Sequence, residues 1–228
     1  MTRRAATWSS RSAGGTPRDG TRPTACGPWS GRGAVAVHAS WAQGSTIALL
    51  LERARHGTPL RDARPLPEQD EIVAAALRAL WRPAGAPFRP LAQVCDLWAD
   101  EVEPLLTADV LDPGLVRDGL ALHRALPRAD LEPVLLVSDL HAGNLLAAAG
   151  GTWRPIDPQP YLGDPCFDVL QHILNDRRVA DDAGAVADRM AGLTGLDAGR
   201  VRTWLFARSV VESAWSPWIW PVAAALAP

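Results

Sequence analysis

The sequence predicts an α+β fold: a mainly helical body, entered through a little β-structure and carrying a β-hairpin inside it. Three observations lead there. Two β-like runs come first, Ala34-Val-Ala-Val-His-Ala39 and Thr46-Ile-Ala-Leu-Leu-Leu-Glu52. Helix-period sequence then dominates. Two short apolar runs, Val134–Val137 and Trp153–Ile156, interrupt it, with Gly150-Gly151 as a turn before the second. A hydrophobic fraction of 47% is ample for a core, which excludes a disordered chain.

Residues 1–30 are Arg, Gly, Ser, Thr and Pro without periodicity, and read as disordered or out-of-family sequence. Residues 31–53 hold the two β runs. Arg53 to Pro59, with Gly57 and Pro59, reads as a connector. In Glu68–Trp81 the residues Ile72, Val73, Ala76, Leu77, Leu80 and Trp81 form one apolar stripe. Glu68, Asp70 and Glu71 in its first turn and Arg78 and Arg82 near its end suit the helix dipole. Further helices are expected near 90–108 and 113–126. The strand Val134–Val137 leads into the polar loop Ser138–Asn144, and Leu145-Leu146 pairs with Trp153–Ile156 as a hairpin. Asp164-Pro165 offers an N-cap followed by proline at the first helical position. Phe167, Leu170, Ile173 and Leu174 give that helix a buried face, and two more helices follow near 182–194 and 198–214.

Bulk properties narrow the function. A net charge of −2 argues against a general nucleic-acid partner. Cys26, Cys95 and Cys166 are odd in number and widely spaced, with no metal pattern, which fits a reducing cytoplasm. The basic start lacks an apolar segment of the kind a signal peptide needs. The apolar tail Ala214–Pro228 is too short to span a membrane and is broken by Pro217 and Pro221.

The chemistry concentrates in one constellation. An apolar run ends in Asp139, Asn144 follows five residues later, and a second apolar run ends in Asp157. Phosphoryl transfer needs an aligned acceptor hydroxyl and a divalent cation that neutralises phosphate charge. Asp139, on a loop after a buried strand, is placed to accept the hydroxyl proton. Asn144 and Asp157 offer oxygen ligands of the kind Mg²⁺ takes. The Asp-x4-Asn step, with a later Asp at a strand end, has the order of a kinase catalytic loop. Taken singly, Asp139 and Asp157 could each merely serve a turn; the ordered set is what points to catalysis.

The segments Ser138-Asp-Leu-His-Ala-Gly-Asn-Leu-Leu146 and Ile156-Asp-Pro-Gln-Pro-Tyr-Leu-Gly-Asp-Pro-Cys-Phe-Asp-Val-Leu-Gln-His-Ile-Leu-Asn175 resemble the aminoglycoside phosphotransferases, in the branch of streptomycin 6-kinase and hydroxyurea phosphotransferase. Leu49–Leu60 resembles that branch's last N-lobe strand and hinge, and Val201–Arg208 its C-terminal helix. The likeness runs over roughly residues 33 to 210. It implies a protein-kinase-like fold, with a mainly helical C-lobe over 62–228, a hinge at 54–61 and an N-lobe remnant at 31–53. It also implies ATP-dependent phosphorylation of a hydroxyl on a small molecule, an aminoglycoside such as streptomycin or a hydroxyurea-type compound. Asp139 would be the base, Asn144 and Asp157 the Mg²⁺ ligands, and the backbone at Glu52 and Ala54 the adenine contact. Asp168 would brace the catalytic loop, or else simply occupy a helix first turn.

The chain departs from the family pattern. Val137-Ser138 stands where many relatives carry His-Gly, and Gln159 where this branch often has Lys. All 23 Lys+Arg residues are Arg, so the lysine that grips ATP phosphates is missing. Neither Gly14-Gly15 nor Gly31-Arg-Gly33 makes a convincing phosphate loop. The expectation is an incomplete N-lobe, from a truncated or frameshifted reading, and a chain that is nearly inactive by itself. A non-catalytic remnant or binding protein of the same fold is the alternative.

Other features stay open. Asp96, Asp100 and Glu103 share a helix face, either solvated or attractive to a cationic acceptor. His141 and His172 beside Asp139 and Asp157 could serve a metallohydrolase, although a close His pair is absent. Trp215, Trp218 and Trp220 could cover an apolar patch or mark an interface.

Overall fold

The computed structural model describes residues 27–43, 46–107, 109 and 111–227, so the expectation for residues 1–30 lies outside the described residues except at Gly27–Ser30. Two strands open the described chain, β1 (Val37–Gln43) and β2 (Thr46–Leu51). They pair antiparallel from Gln43↔Thr46 to Val37↔Leu51, with an irregularity between Val37 and Ala39. The period-2 alternation puts Ala39, Trp41, Ala48 and Leu50 on one face of this ribbon, and all four are exposed. The segment before β1 is better anchored. Buried Trp29 donates its indole N–H to Leu80 O at 2.9 Å, and Val35 N–H reaches Pro155 O at 3.1 Å.

A connector over residues 52–58 leads to α1 (Leu60–Ala63), α2 (Leu66–Leu80), α3 (Leu91–Val102) and α4 (Pro113–Ala125). The middle of the chain holds four three-residue strands: β3 (Val134–Leu136), β4 (Leu145–Ala147), β5 (Trp153–Pro155) and β6 (Tyr161–Gly163). Six helices follow: α5 (Pro165–Asp168), α6 (Leu170–Leu174), α7 (Arg178–Asp181), α8 (Ala183–Thr194), α9 (Ala198–Glu212) and α10 (Trp220–Ala225).

Helix α9 is the axis of the body. Val201, Trp204, Leu205, Phe206, Val210 and Val211 along it are buried, and it packs on α4, α8 and α10. Gly119 of α4 permits that approach: a Cβ there would lie 2.5 Å from Val210 Cγ2. Aspartates start α4, α8 and α9, whereas prolines precede α2 and α3. Asp112 accepts from Gly114 N and Leu115 N, Asp182 from Ala185 N, and Asp197 from Arg200 N. Asp164 caps α5 through Cys166 N, and its other oxygen takes the Trp204 indole at 2.6 Å and Arg200 Nε.

The predicted hairpin is β4–β5, paired Leu145↔Pro155 to Ala147↔Trp153. The predicted strand at Val134 pairs elsewhere, with β6, in the register Val134↔Gly163 to Leu136↔Tyr161. Three residues between Pro160 and Asp164 are too few to show a strand period, which is why β6 is not visible in the sequence. On α2, Ile72 and Ala76 are only half-buried, whereas Gln69 and Asp70 are buried. Asp70 is an ion-pair centre rather than a solvated first-turn acid.

Candidate active site

Strand β3 ends at Leu136, the buried Val137 follows, and the chain turns sharply. Ser138 (φ 59°) and Asp157 (φ 53°) are the non-glycine residues with left-handed backbone among those described, and both lie at the candidate site. Such conformations cost energy and persist where the surroundings dictate them. Asp168, with no exposed surface, supplies that constraint at Ser138. Its Oδ2 accepts Val137 N–H at 2.9 Å and the Trp81 indole N–H at 2.8 Å, and its Oδ1 accepts Ser138 N–H at 2.6 Å. Burial pushes the Asp168 carboxyl up to about 6, against the lowering pull of the Val137, Trp81 and Ser138 donors.

Asp139 sits among side-chain amides. Gln171 Nε2 donates to its Oδ1 at 3.0 Å, and Asn144 Nδ2 and Gln159 Nε2 donate to its Oδ2, each at 3.3 Å. Asn144 Nδ2 also donates to the Asp139 backbone O at 2.8 Å. This turns the oxygen of the Asn144 amide away from Asp139. Ile156 N–H donates to Asn144 O at 2.9 Å, which brings the residue before Asp157 against Asn144. Asn144 thus contacts Asp139, and the backbone bond from Ile156 sets the segment that carries Asp157 beside them, where the β3 loop meets the end of β5.

An oxygen-only set of one amide and one carboxylate suits a hard cation that draws further ligands from phosphates. The Asn144 orientation fits this, because its amide nitrogen is already committed and its oxygen is the atom left for a ligand. Among the described residues no group of three His, Cys, Asp or Glu could hold a metal. The two histidines are engaged otherwise. His172 Nε2 lies 3.0 Å from Asp70 Oδ1, and His141 Nδ1 accepts Gly143 N–H at 3.0 Å. Burial holds His141 below its ordinary value, with the Asp139 charge opposing.

The connector runs along the same side. Gly57 N–H donates to Ala147 O at 2.8 Å, Ala147 N–H to Thr58 O at 2.9 Å, and Arg61 N–H to Ala142 O at 3.1 Å. Glu52 is tied to Ala36 twice: its N–H donates to Ala36 O at 2.7 Å, and its Oε2 accepts Ala36 N–H at 3.1 Å. The Glu52 N–H is thus committed, while its carbonyl and the backbone of half-buried Ala54 border the connector. A separate cavity of about 550 Å³ between α7, α8, α9 and α10 is lined by none of these residues.

Sequence reading missed Gln171 and the strained Ser138. A polar residue three positions after Asp168, between apolar Leu170 and Ile173, was the available signal for Gln171. The acidic row on α3 is ion-paired to α4 and the turn after it, Asp100 and Glu103 to Arg124 and Asp96 to Arg128. Trp218 lies under the Arg177 guanidinium, 4.3 Å from its ring centre.

Comparison with known proteins gives the geometry a context. Residues 22–218 match the family described as aminoglycoside/hydroxyurea antibiotic resistance kinase. Hydroxyurea phosphotransferase of Kitasatospora aureofaciens is 37% identical over 202 residues, which cover 85% of this chain and 57% of that protein. Streptomycin 6-kinase of Streptomyces glaucescens is 30% identical over 218 residues, covering 87% of this chain and 68% of that protein. The chain thus spans little more than half the length of the first of these relatives. A choline/ethanolamine kinase family protein from Mesorhizobium loti superposes with a TM-score of 0.60 at 18% identity, over 87% of this chain and 70% of that one. The fold is protein-kinase-like, as the sequence predicted. No helix among the described residues is long and apolar enough to cross a membrane.

Proposed function

This chain belongs to the aminoglycoside/hydroxyurea antibiotic resistance kinase family, and from that premise we propose that its site carries out ATP-dependent phosphorylation of a hydroxyl on a small molecule. The observation that carries the reading is the contact of Asn144 with Asp139 on a loop braced by Asp168, with the segment that carries Asp157 bonded beside it through Ile156. In this reading the acceptor hydroxyl passes its proton to Asp139. Its oxygen bonds the γ-phosphorus as the bond from that phosphorus to the leaving ADP oxygen breaks. Asn144 and Asp157 hold Mg²⁺, which when bound neutralises phosphate charge. The Glu52 carbonyl and the Ala54 backbone meet adenine at the 54–61 hinge, with residues 62–228 as the C-lobe and 31–53 as N-lobe sheet. The acceptor is streptomycin-like or hydroxyurea-like, and the setting is cytoplasmic.

A finer reading concerns turnover by these 228 residues. They contain no lysine to contact the phosphates. Losing one such preorganised contact commonly costs on the order of a hundredfold in rate. We therefore expect slow turnover from this chain. A chimera carrying a relative's N-terminal segment before residue 33 should consume ATP in an acceptor-dependent way, at least about a hundredfold faster. Asp139→Ala should abolish that activity. A chimera inert toward streptomycin and hydroxyurea, or one indifferent to Asp139→Ala, would overturn the proposal.

A further inference from the structure

The three amide contacts on Asp139 are not equivalent. Asn144 and Gln159 both address Oδ2, and both at 3.3 Å. Gln171 alone addresses Oδ1, and at the shorter distance of 3.0 Å. A carboxylate left to itself rotates readily about its last torsion and exchanges its two oxygens. One closer hydrogen bond to one oxygen removes that freedom.

We propose that Gln171 is a positioning residue: it fixes Oδ1 of Asp139 and so presents Oδ2 to the acceptor hydroxyl. The proposal rests on the phosphotransfer reading above for its chemistry, but not for its geometry. Gln171 is itself held. Its carbonyl accepts Asn175 Nδ2 at 2.7 Å. The next residue, His172, is buried against Asp70, and Asp70 is gripped by Arg178 and Arg189. Three residues earlier, Asp168 holds the backbone of Val137 and Ser138. One short helical stretch therefore grips the catalytic loop twice, at its backbone and at its carboxylate, from positions three apart. The 3.3 Å contacts on Oδ2 are the weaker ones, so an incoming hydroxyl displaces them more easily than the bond to Oδ1. Alignment of this kind is worth much in rate, since small misplacements of a reacting group cost up to about a hundredfold.

The test uses the 228-residue chain labelled with ¹⁵N. Gln171→Leu identifies the Gln171 side-chain amide pair by its loss. The expected result is a pair split by a bonded proton in the otherwise native chain, and a shift of that pair toward solvent-exposed glutamine positions in Asp139→Ala. A role confined to packing would leave the pair indifferent to Asp139. Long-incubation assays of acceptor-dependent ADP formation form the second arm. Gln171→Leu should lower kcat about 10- to 100-fold while KM for ATP stays within about twofold. An amide pair unmoved by Asp139→Ala overturns the proposal, and so does unchanged kcat in Gln171→Leu. If the native chain forms no detectable ADP, the kcat comparison is made in the chimera; a chimera inert with every acceptor fails the phosphotransfer reading on its own, and the amide resonances still decide the contact.

Discussion

Two aspartates lie buried inside the helical body, and their carboxyls are shifted in opposite directions. Asp70 of α2 is 1% exposed and Asp168 of α5 is 0% exposed. Burial pushes both carboxyls up. At Asp70 the hydrogen bonds from His172, Arg178 and Arg189 outweigh it and hold the group well below the usual carboxylate range. At Asp168 the donors are two backbone N–H groups and an indole, all neutral, and burial wins. The lesson is that depth alone does not decide the charge of a buried acid; the charge of its donors does. The two regions also differ in task. Asp70 ties α2 to α6, α7 and α8, whereas Asp168 shapes the loop that carries Asp139.

The largest expected effect breaks the charged side of this comparison. Asp70→Ala leaves His172, Arg178 and Arg189 facing a void, with only Asp176 beside Arg178 and Glu71 beside Arg189 as remaining counter-charges. Removing one partner of a buried ion cluster costs about 3–5 kcal/mol, and here the lower part of that range applies because Arg178 and Arg189 can turn toward water. Urea unfolding at neutral pH measures it; a loss below about 1 kcal/mol would place the pairing on the footing of a surface bridge. The sign with pH follows from the depressed carboxyl. Its stabilisation is present above the ordinary value of 3.8 and fades only as pH falls below that.

The neutral side predicts the reverse slope. Asp168 binds its proton more tightly folded than unfolded, so its contribution to stability falls as pH rises from 3.8 to about 6, then levels. A shift of about two units corresponds to about 3 kcal/mol at most. Asp168→Asn removes that slope. Unfolding free energies of native chain and variant, compared across this range, isolate it. Parallel pH profiles would show that the buried carboxyl ionises as readily as a free one.

How far these regions were legible in the sequence follows the same division. The long helix α2 was visible because Val73, Leu77 and Leu80 recur at helical spacing, and the start of α5 because Asp164-Pro165 offers a cap; the capping roles of Asp112, Asp182 and Asp197 were not read. The order Asp139, Asn144, Asp157 was visible because a loop after a strand keeps its chemistry in consecutive residues. The bracing role read for Asp168 came from resemblance; the hydrogen bonds that could perform it cross 30 and 31 positions of sequence. The ion-pair role of Asp70 was not visible because its partners lie 102 to 119 residues away, and an acid near a helix start has the same local signature whether solvated or paired. Gln171 was missed for the same reason. Strand β6 was too short to announce itself.

The smallest expected effect sharpens the comparison by removing burial and keeping the charges. Asp100 and Glu103 on α3 both meet Arg124 of α4, at 2.7 and 2.9 Å, distances as short as those around Asp70. Their side chains are 71% and 59% exposed, against 2% for Asp70. Water and salt screen such pairs, and holding two long side chains together costs entropy. Asp100→Asn should therefore cost no more than about 1 kcal/mol, and less in high salt. Geometry alone would assign both clusters similar worth. If Asp100→Asn destabilised the chain as much as Asp70→Ala, donor charge and distance would be the controlling variables and burial would not. A small, salt-sensitive loss at Asp100 beside a large, salt-insensitive one at Asp70 would instead show that exclusion of water gives the Asp70 cluster its strength.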